Sequence, residues 1–137
     1  MTVIAASGNS NTSVAYPANN SNVISVGATD QNDYKAPFSN YGSNLTIAAP
    51  GVGIYSTQLN NTYNSSDGTS FASPIVSGVV ALMLSINPSM TPAQIKDALI
   101  TTADKVGGYN YINGRSNELG YGRLNAYAAV NSAKKIN

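Results

Sequence analysis

The run Asp67-Gly68-Thr69-Ser70-Phe71-Ala72-Ser73-Pro74, followed at once by an apolar stretch reaching Ile86, constrains this chain more than any other part of it. A glycine-preceded turn feeds directly into residues that, from about Ser70 to Ile86, are small or apolar on every side. That is the pattern of a buried central helix. Pro74 falls in or near its first turn, where a missing N–H costs little, and Asn87-Pro88 stops it. Ser70 sits at the mouth of this helix. Free backbone N–H groups and the helix dipole there favour the negative charge that a hydroxyl nucleophile develops. The sequence holds no histidine, however. A serine hydrolase of the Ser-His-Asp type needs an imidazole to take the serine proton. The chain therefore reads as part of an active site without the base that would run it.

Upstream, Val3 to Ala6 is strand-like and ends in the turn cluster Ser7-Gly8-Asn9-Ser10. Val23 to Ala28 is apolar at nearly every residue, as expected of a parallel strand covered on both faces. Leu45 to Ala49, before Pro50-Gly51, predicts a third strand. Ile54 to Thr57 and Thr62 to Ser65, joined by Gln58 to Asn61, predict a hairpin leading into the serine turn. Thr91, Pro92 and Gln94 mark a capped helix start whose inner face is Ile95, Ala98 and Leu99. A last helix, around Asn125 to Lys135, stacks Ala126, Ala129, Val130 and Ala133, and its two terminal lysines suit the negative end of the dipole. Gly107-Gly108 to Gly122 is a loop or hairpin rich in Tyr and Gly. Because the chain opens directly on a strand, a truncated or processed piece is the expectation.

At 137 residues the chain suits one domain, taken as 1–137. Net charge is +1 and the seven Lys and Arg are scattered, which argues against a nucleic-acid or membrane partner. Only 9% of residues are charged, against roughly 25% in typical soluble domains; Asn, Ser, Thr and Tyr supply the polarity, a surface suited to an extracellular protein. There is no cysteine, hence no disulfide framework or thiolate site. The first residues lack the basic-then-apolar order of a signal peptide. The apolar run Ile75 to Ile86 falls short of the ~20 residues that span a bilayer.

These pieces together resemble the C-terminal half of a subtilisin-like serine protease (subtilase). The likeness rests on Val3-Ile4-Ala5-Ala6-Ser7-Gly8-Asn9, Tyr16-Pro17-Ala18, Val23-Ile24-Ser25-Val26-Gly27-Ala28, Phe38-Ser39-Asn40-Tyr41-Gly42, Ala48-Ala49-Pro50-Gly51 and Gly68-Thr69-Ser70-Phe71-Ala72-Ser73-Pro74, in the family's order. The resemblance implies an α/β fold: the C-terminal portion of a parallel-sheet, three-layer architecture with the helix starting at the nucleophile. It implies Ser70 as nucleophile, Asn9 as side-chain donor of the oxyanion hole beside the Ser70 N–H, and Ala6, Gly8 and Ala15 as walls of the pocket for the side chain preceding the scissile bond. Ala15 stands where the family often has glycine, which narrows that pocket. The family's Asp and His belong upstream of Val3 and neither is here. Even the histidine that commonly follows the Ser-x-Ala-x-Pro turn is replaced by Ile75. No cofactor is expected beyond calcium: carbonyls near Ala18 and Val23 are the place for a weak cation, although Thr46 sits where some members supply a carboxylate.

Taken alone, Ser70 could be a helix N-cap and Asn9 a turn asparagine in the left-handed region; the surrounding motif favours the catalytic roles for both. Asp67 is read as ordering its turn, Asp30 and Asp33 as solvated, and the nine tyrosines as surface and loop packing. Two functions follow. One is a secreted, bacterial serine endopeptidase acting through an acyl-enzyme on Ser70, in which the missing N-terminal half is the partner and this chain alone is inactive. The other is a non-catalytic peptide-binding or structural remnant of a degenerate subtilase. Losing neighbours from the first strand predicts a homo-oligomer or domain-swapped assembly of the isolated chain.

Overall fold

Seven consecutive buried residues, Val23–Thr29, form the middle of the fold in the computed structural model, which describes residues 1–136. They make β2, flanked in one parallel sheet by β1 (Val3–Ala6) and β3 (Ile47–Pro50). Val3 pairs with Val23, and Val26 with Ile47. Side chains alternate between the faces of a strand, and this sequence uses the two faces differently. Ile24, Val26, Ala28, Ile47 and Ala49 join the main core. Ser25, Gly27 and Thr29 face the other way and are small enough for loops to approach closely. A Cβ on Gly27 would lie 3.1 Å from Ser39 Oγ and 3.2 Å from Leu45 Cδ2. Leu45 packs on that side with Val14, Ala18 and Ala5, so the third strand begins two residues later than the apolar run suggests.

The main core is closed by α1 (Thr69–Ile86), which crosses all three strands, with α3 (Ala126–Ala133) against it and α2 (Pro92–Thr102) against α3. The fold is thus mixed α/β around a parallel sheet, as expected. The start of α2 carries the predicted capping box: Gln94 N donates to Thr91 Oγ1 at 3.2 Å, and Thr91 N to Gln94 Oε1 at 2.8 Å. Asn125 caps α3 by accepting from Ala128 N at 2.9 Å. Two helix expectations need correction. Ala126 is exposed, because the face of α3 that packs is set by Ala129 and Ala133. In α1 only one face is covered, by Ala72, Val76, Val79, Val80 and Met83. Leu82 is 56% and Ile86 41% exposed on the other. That side also carries Ser70, Ser77 and Ser85, all exposed, a weak polar stripe diluted by the apolar residues between them. By length and apolar content α1 would also pass for a membrane span; its packing across the sheet gives it the environment of a core helix.

The uncovered face of α1 runs on to the free edge of β1, and together they bound an apolar groove of about 700 Å³ lined by Val3, Ile4, Val80, Ala81 and Leu84. β4 (Ile54–Gln58) and β5 (Thr62–Ser66) form the predicted antiparallel hairpin, with Tyr55 stacked on Tyr63 at 5.8 Å. The Gly- and Tyr-rich stretch after α2 is a loop held by isolated bridges, Ile112 to Arg115 and Ser116 to Gly120.

Candidate active site

The end of β1 and the start of α1, 60 positions apart in sequence, meet through one side chain. Asn9 Oδ1 accepts from Thr69 N at 2.9 Å and from Thr69 Oγ1 at 2.8 Å. Thr69 Oγ1 in turn accepts from Gly8 N at 3.2 Å. With its oxygen anchored twice, the Asn9 amide has one orientation, and its NH2 group has no partner among the described residues.

The N-terminus of α1 is laid out around that amide. Gly68 is the N-cap and supplies no side chain. Thr69 N is taken by Asn9, and Phe71 N donates to Gly68 O at 3.0 Å. Ser70 N–H is left without an acceptor among the described residues, as a first-turn donor is unless something caps it. A Cβ on Gly68 would lie 3.6 Å from Ser70 N and 3.7 Å from Asn9 Nδ2. The glycine therefore keeps open a space bordered by two unpartnered donors, beside the exposed Ser70. Its φ of +151° is a conformation that side chains disfavour. The turn is tied down from behind: Gly68 N donates to Gly51 O at 2.8 Å and Gly53 N to Asp67 Oδ1 at 2.6 Å. Asp67 orders the turn, as expected. Ser70 is the second helical residue and not the N-cap, and Asn9 does not adopt a positive φ.

The three wall residues end up close together. Ala6 closes β1, and Ala15 N returns to Ser7 O at 2.9 Å. A Cβ on Gly8 would meet Ala15 Cβ at 3.4 Å. Ala6 and Gly8 are half-buried and Ala15 is exposed.

Two residues that hold this arrangement were not singled out from sequence. Thr69 is fully buried and orients the Asn9 amide. Asn40, only 3% exposed, fills the inside of the Asn9 loop: Oδ1 accepts from Ser10 N (2.9 Å) and Thr12 N (3.1 Å), and Nδ2 donates to Ser7 O (3.0 Å). Asn40 N also donates to Gly8 O at 2.9 Å. Its place in the Phe38-to-Gly42 stretch is the one signal in the sequence, and it carries no hint of a role.

Elsewhere, Asp33 is not free in solvent. It pairs with Arg123, which also donates to Asp104 Oδ2 at 2.9 Å. The hydrogen bond from Asn125, with the Arg123 guanidinium beside it, holds the Asp104 carboxyl below its usual range. Burial pushes the Lys35 and Lys105 ammonium groups down. Among the described residues no cluster of acidic side chains has the makings of a metal site. Near Ala18 and Val23, the Thr46 hydroxyl is turned inward to Ser25 Oγ at 3.1 Å.

The model of the Subtilase family matches residues 1–122. The chain is 48% identical over 129 residues to M-protease of Shouchella clausii, covering 93% of this chain and 32% of that protein. It is 47% identical to Subtilisin BL of Lederbergia lenta, again over 93% of this chain and 45% of the relative. Among solved structures, a protease from Pseudoalteromonas arctica superposes with a TM-score of 0.84 at 33% identity, covering 97% of this chain and 43% of that one. The chain thus spans less than half the length of these relatives.

Proposed function

The chain belongs to the subtilase family, and from that premise we propose that it is the nucleophile-bearing half of a serine endopeptidase catalytic domain. Ser70 Oγ attacks the scissile carbonyl and gives its proton to a histidine supplied by polypeptide outside this sequence, which contains none. The carbonyl oxygen, becoming O⁻, moves into the space beside Gly68 and accepts from Ser70 N–H and Asn9 Nδ2. The amine product leaves with the proton held by the histidine, and water then releases the acyl group from Ser70. Ala6, Gly8 and Ala15 line the pocket for the side chain preceding the scissile bond. The observation that carries this reading is the open space at Gly68 between two unpartnered donors beside an exposed serine. The apolar groove between β1 and α1 is where the base-bearing half docks. The bacterial sources of the relatives and the low charge of the chain support secretion into the medium.

A second reading is a non-catalytic remnant that binds peptides in the same cleft. Intact mass after treatment with a fluorophosphonate serine probe separates the two. The chain is tested alone and mixed with a polypeptide carrying the family's Asp and His segments. Labelling of Ser70 only in the mixture is the expected result. Labelling of the lone chain would mean that another base serves Ser70. No labelling in either, with both pieces folded, would favour the remnant.

A further inference from the structure

We propose that the cavity between the 19–23 loop, the 42–46 loop and α2 is a binding site for a small oxyanion of the phosphate or sulfate class, and not for a cation. The cavity, about 380 Å³, is lined by Asn19, Asn20, Asn44, Lys96, Arg115 and Tyr121 among others, and no lining residue is acidic. Both cations are held in place by neutral oxygens. Arg115 Nη2 donates to Leu45 O at 2.9 Å and to Gly42 O at 3.2 Å, and the guanidinium lies 5.8 Å from the Tyr121 ring centroid. Lys96 Nζ donates to Ser21 O at 3.2 Å. Neither makes a salt bridge among the described residues, where the ion pairs belong to Arg123.

Carbonyl partners fix the geometry of these two charges without neutralising them. A concave site lined by one sign of charge concentrates the field of that sign, so the cavity repels a metal ion and attracts an anion. The donors needed to recognise an oxyanion are present and spare. Arg115 retains Nε–H and Nη1, Lys96 has further N–H bonds, and the Asn19 and Asn44 amides make no hydrogen bond among the described residues. The same facts argue against a cation near Ala18 and Val23. Lys96 and Arg115 bring two unneutralised positive charges to the cavity, and Thr46 offers a hydroxyl hydrogen-bonded with Ser25 in place of a carboxylate. Bound there, an oxyanion would tie two loops to α2. The inference does not depend on the catalytic reading of Ser70.

The test follows backbone and Arg115 Nε–H resonances of this chain during titration with inorganic phosphate, against sodium chloride at matched ionic strength and against calcium chloride. Saturable shifts confined to Asn19–Val23, Ser43–Thr46 and Arg115 are expected with phosphate only. Lys96→Gln should weaken the apparent affinity at least tenfold, roughly the worth of one charge-assisted contact. Arg115→Gln should do the same where it folds; Lys96→Gln, which removes one bond to a loop carbonyl, carries the test where it does not. Equal shifts with chloride, a response unchanged in Lys96→Gln, or saturable shifts with calcium would each overturn the proposal.

Discussion

Replacing Asn40 by alanine strips the inside of the loop that carries Asn9. Three hydrogen bonds disappear, from Ser10 N, from Thr12 N and to Ser7 O. Their fates differ. The Ser7 carbonyl keeps its bond from Ala15 N at 2.9 Å, so it is never orphaned. Ser10 and Thr12 are exposed residues, but their amides point inward at Asn40, and water reaches them only if the loop opens. An orphaned buried donor costs about 1–3 kcal/mol; with partial rehydration, two such donors and the small void left by the amide sum to about 2–3 kcal/mol. Against a typical domain stability of about 5–15 kcal/mol, that is a large share. Urea unfolding of the chain should register it as a midpoint about 1–2 M lower, for a slope of about 1–3 kcal/mol/M. The second readout is local. A looser loop frees Asn9 Oδ1 from Thr69 N, so the Thr69 amide should exchange with solvent faster in the variant. A loss under about 0.5 kcal/mol together with unchanged Thr69 exchange would refute the reasoning, since the loop would then be held by its backbone bonds to residues 38–41 alone.

Asp104 has its carboxyl pKa depressed by Asn125 and Arg123. Its contribution is therefore present above the unfolded carboxyl pKa of about 3.9 and is lost as pH falls through the lower folded value. The urea midpoint should drop between about pH 5 and about pH 3, and Asp104→Asn should flatten part of that drop; identical pH slopes would count against it. Gly68→Ala should cost about 1–3 kcal/mol from its φ of +151°. Its methyl group should also fill the space between Ser70 N and Asn9 Nδ2, so that fluorophosphonate labelling in the assembled enzyme falls even where the variant folds. Light scattering of the isolated chain should show a mass that rises with concentration, and Leu82→Lys combined with Val3→Lys should suppress that rise. A monomer at every concentration would argue that the groove is self-sufficient.

Local rules made most of the fold legible. Strong local signals gave β1, β2, the hairpin and α2, because a run of buried residues, a turn cluster or a Thr-Pro-x-Gln start owes little to distant contacts. What escaped was decided by partners. The exposed side of α1 mixes Ser70, Ser77 and Ser85 with Leu82 and Ile86, a polar stripe too weak to read among so many small and apolar residues until the packing partners are in place. Asp33 reads as a solvated loop residue until Arg123, 90 positions away, is brought beside it. Ser70 and Asn9 could be picked out because each lies in a distinctive local run. Asn40 and Thr69 could not be given a role, because their work is done by hydrogen bonds across sequence separations of 28 to 61 positions.

The arrangement also bears on how the chemistry divides between segments. An oxyanion hole requires donors fixed before the charge appears, whereas proton transfer requires only that a base arrive within hydrogen-bonding reach. On the proposed reading, the parts suited to the first task are all in one chain: the Asn9 amide, the Thr69 hydroxyl that aims it, the Asn40 amide that shapes its loop, and the glycine that leaves room. Packing alone gives no reason for such an outcome. A helix start optimised for stability would cap its free donors with a Ser, Asp or Asn in an ordinary extended N-cap conformation, which the φ of +151° at position 68 does not offer. Instead a glycine stands there, Asn9 spends its oxygen on Thr69, and the Ser70 N–H stays unpaired. If the base-bearing half is what completes the site, adding it should change the rate of labelling at Ser70 while leaving the Asn9–Thr69 contact as it is in the isolated chain. Thr69 amide exchange, compared with and without the added half, reads that directly. Slow exchange only in the mixture would mean that the oxyanion side of the site is assembled by its partner.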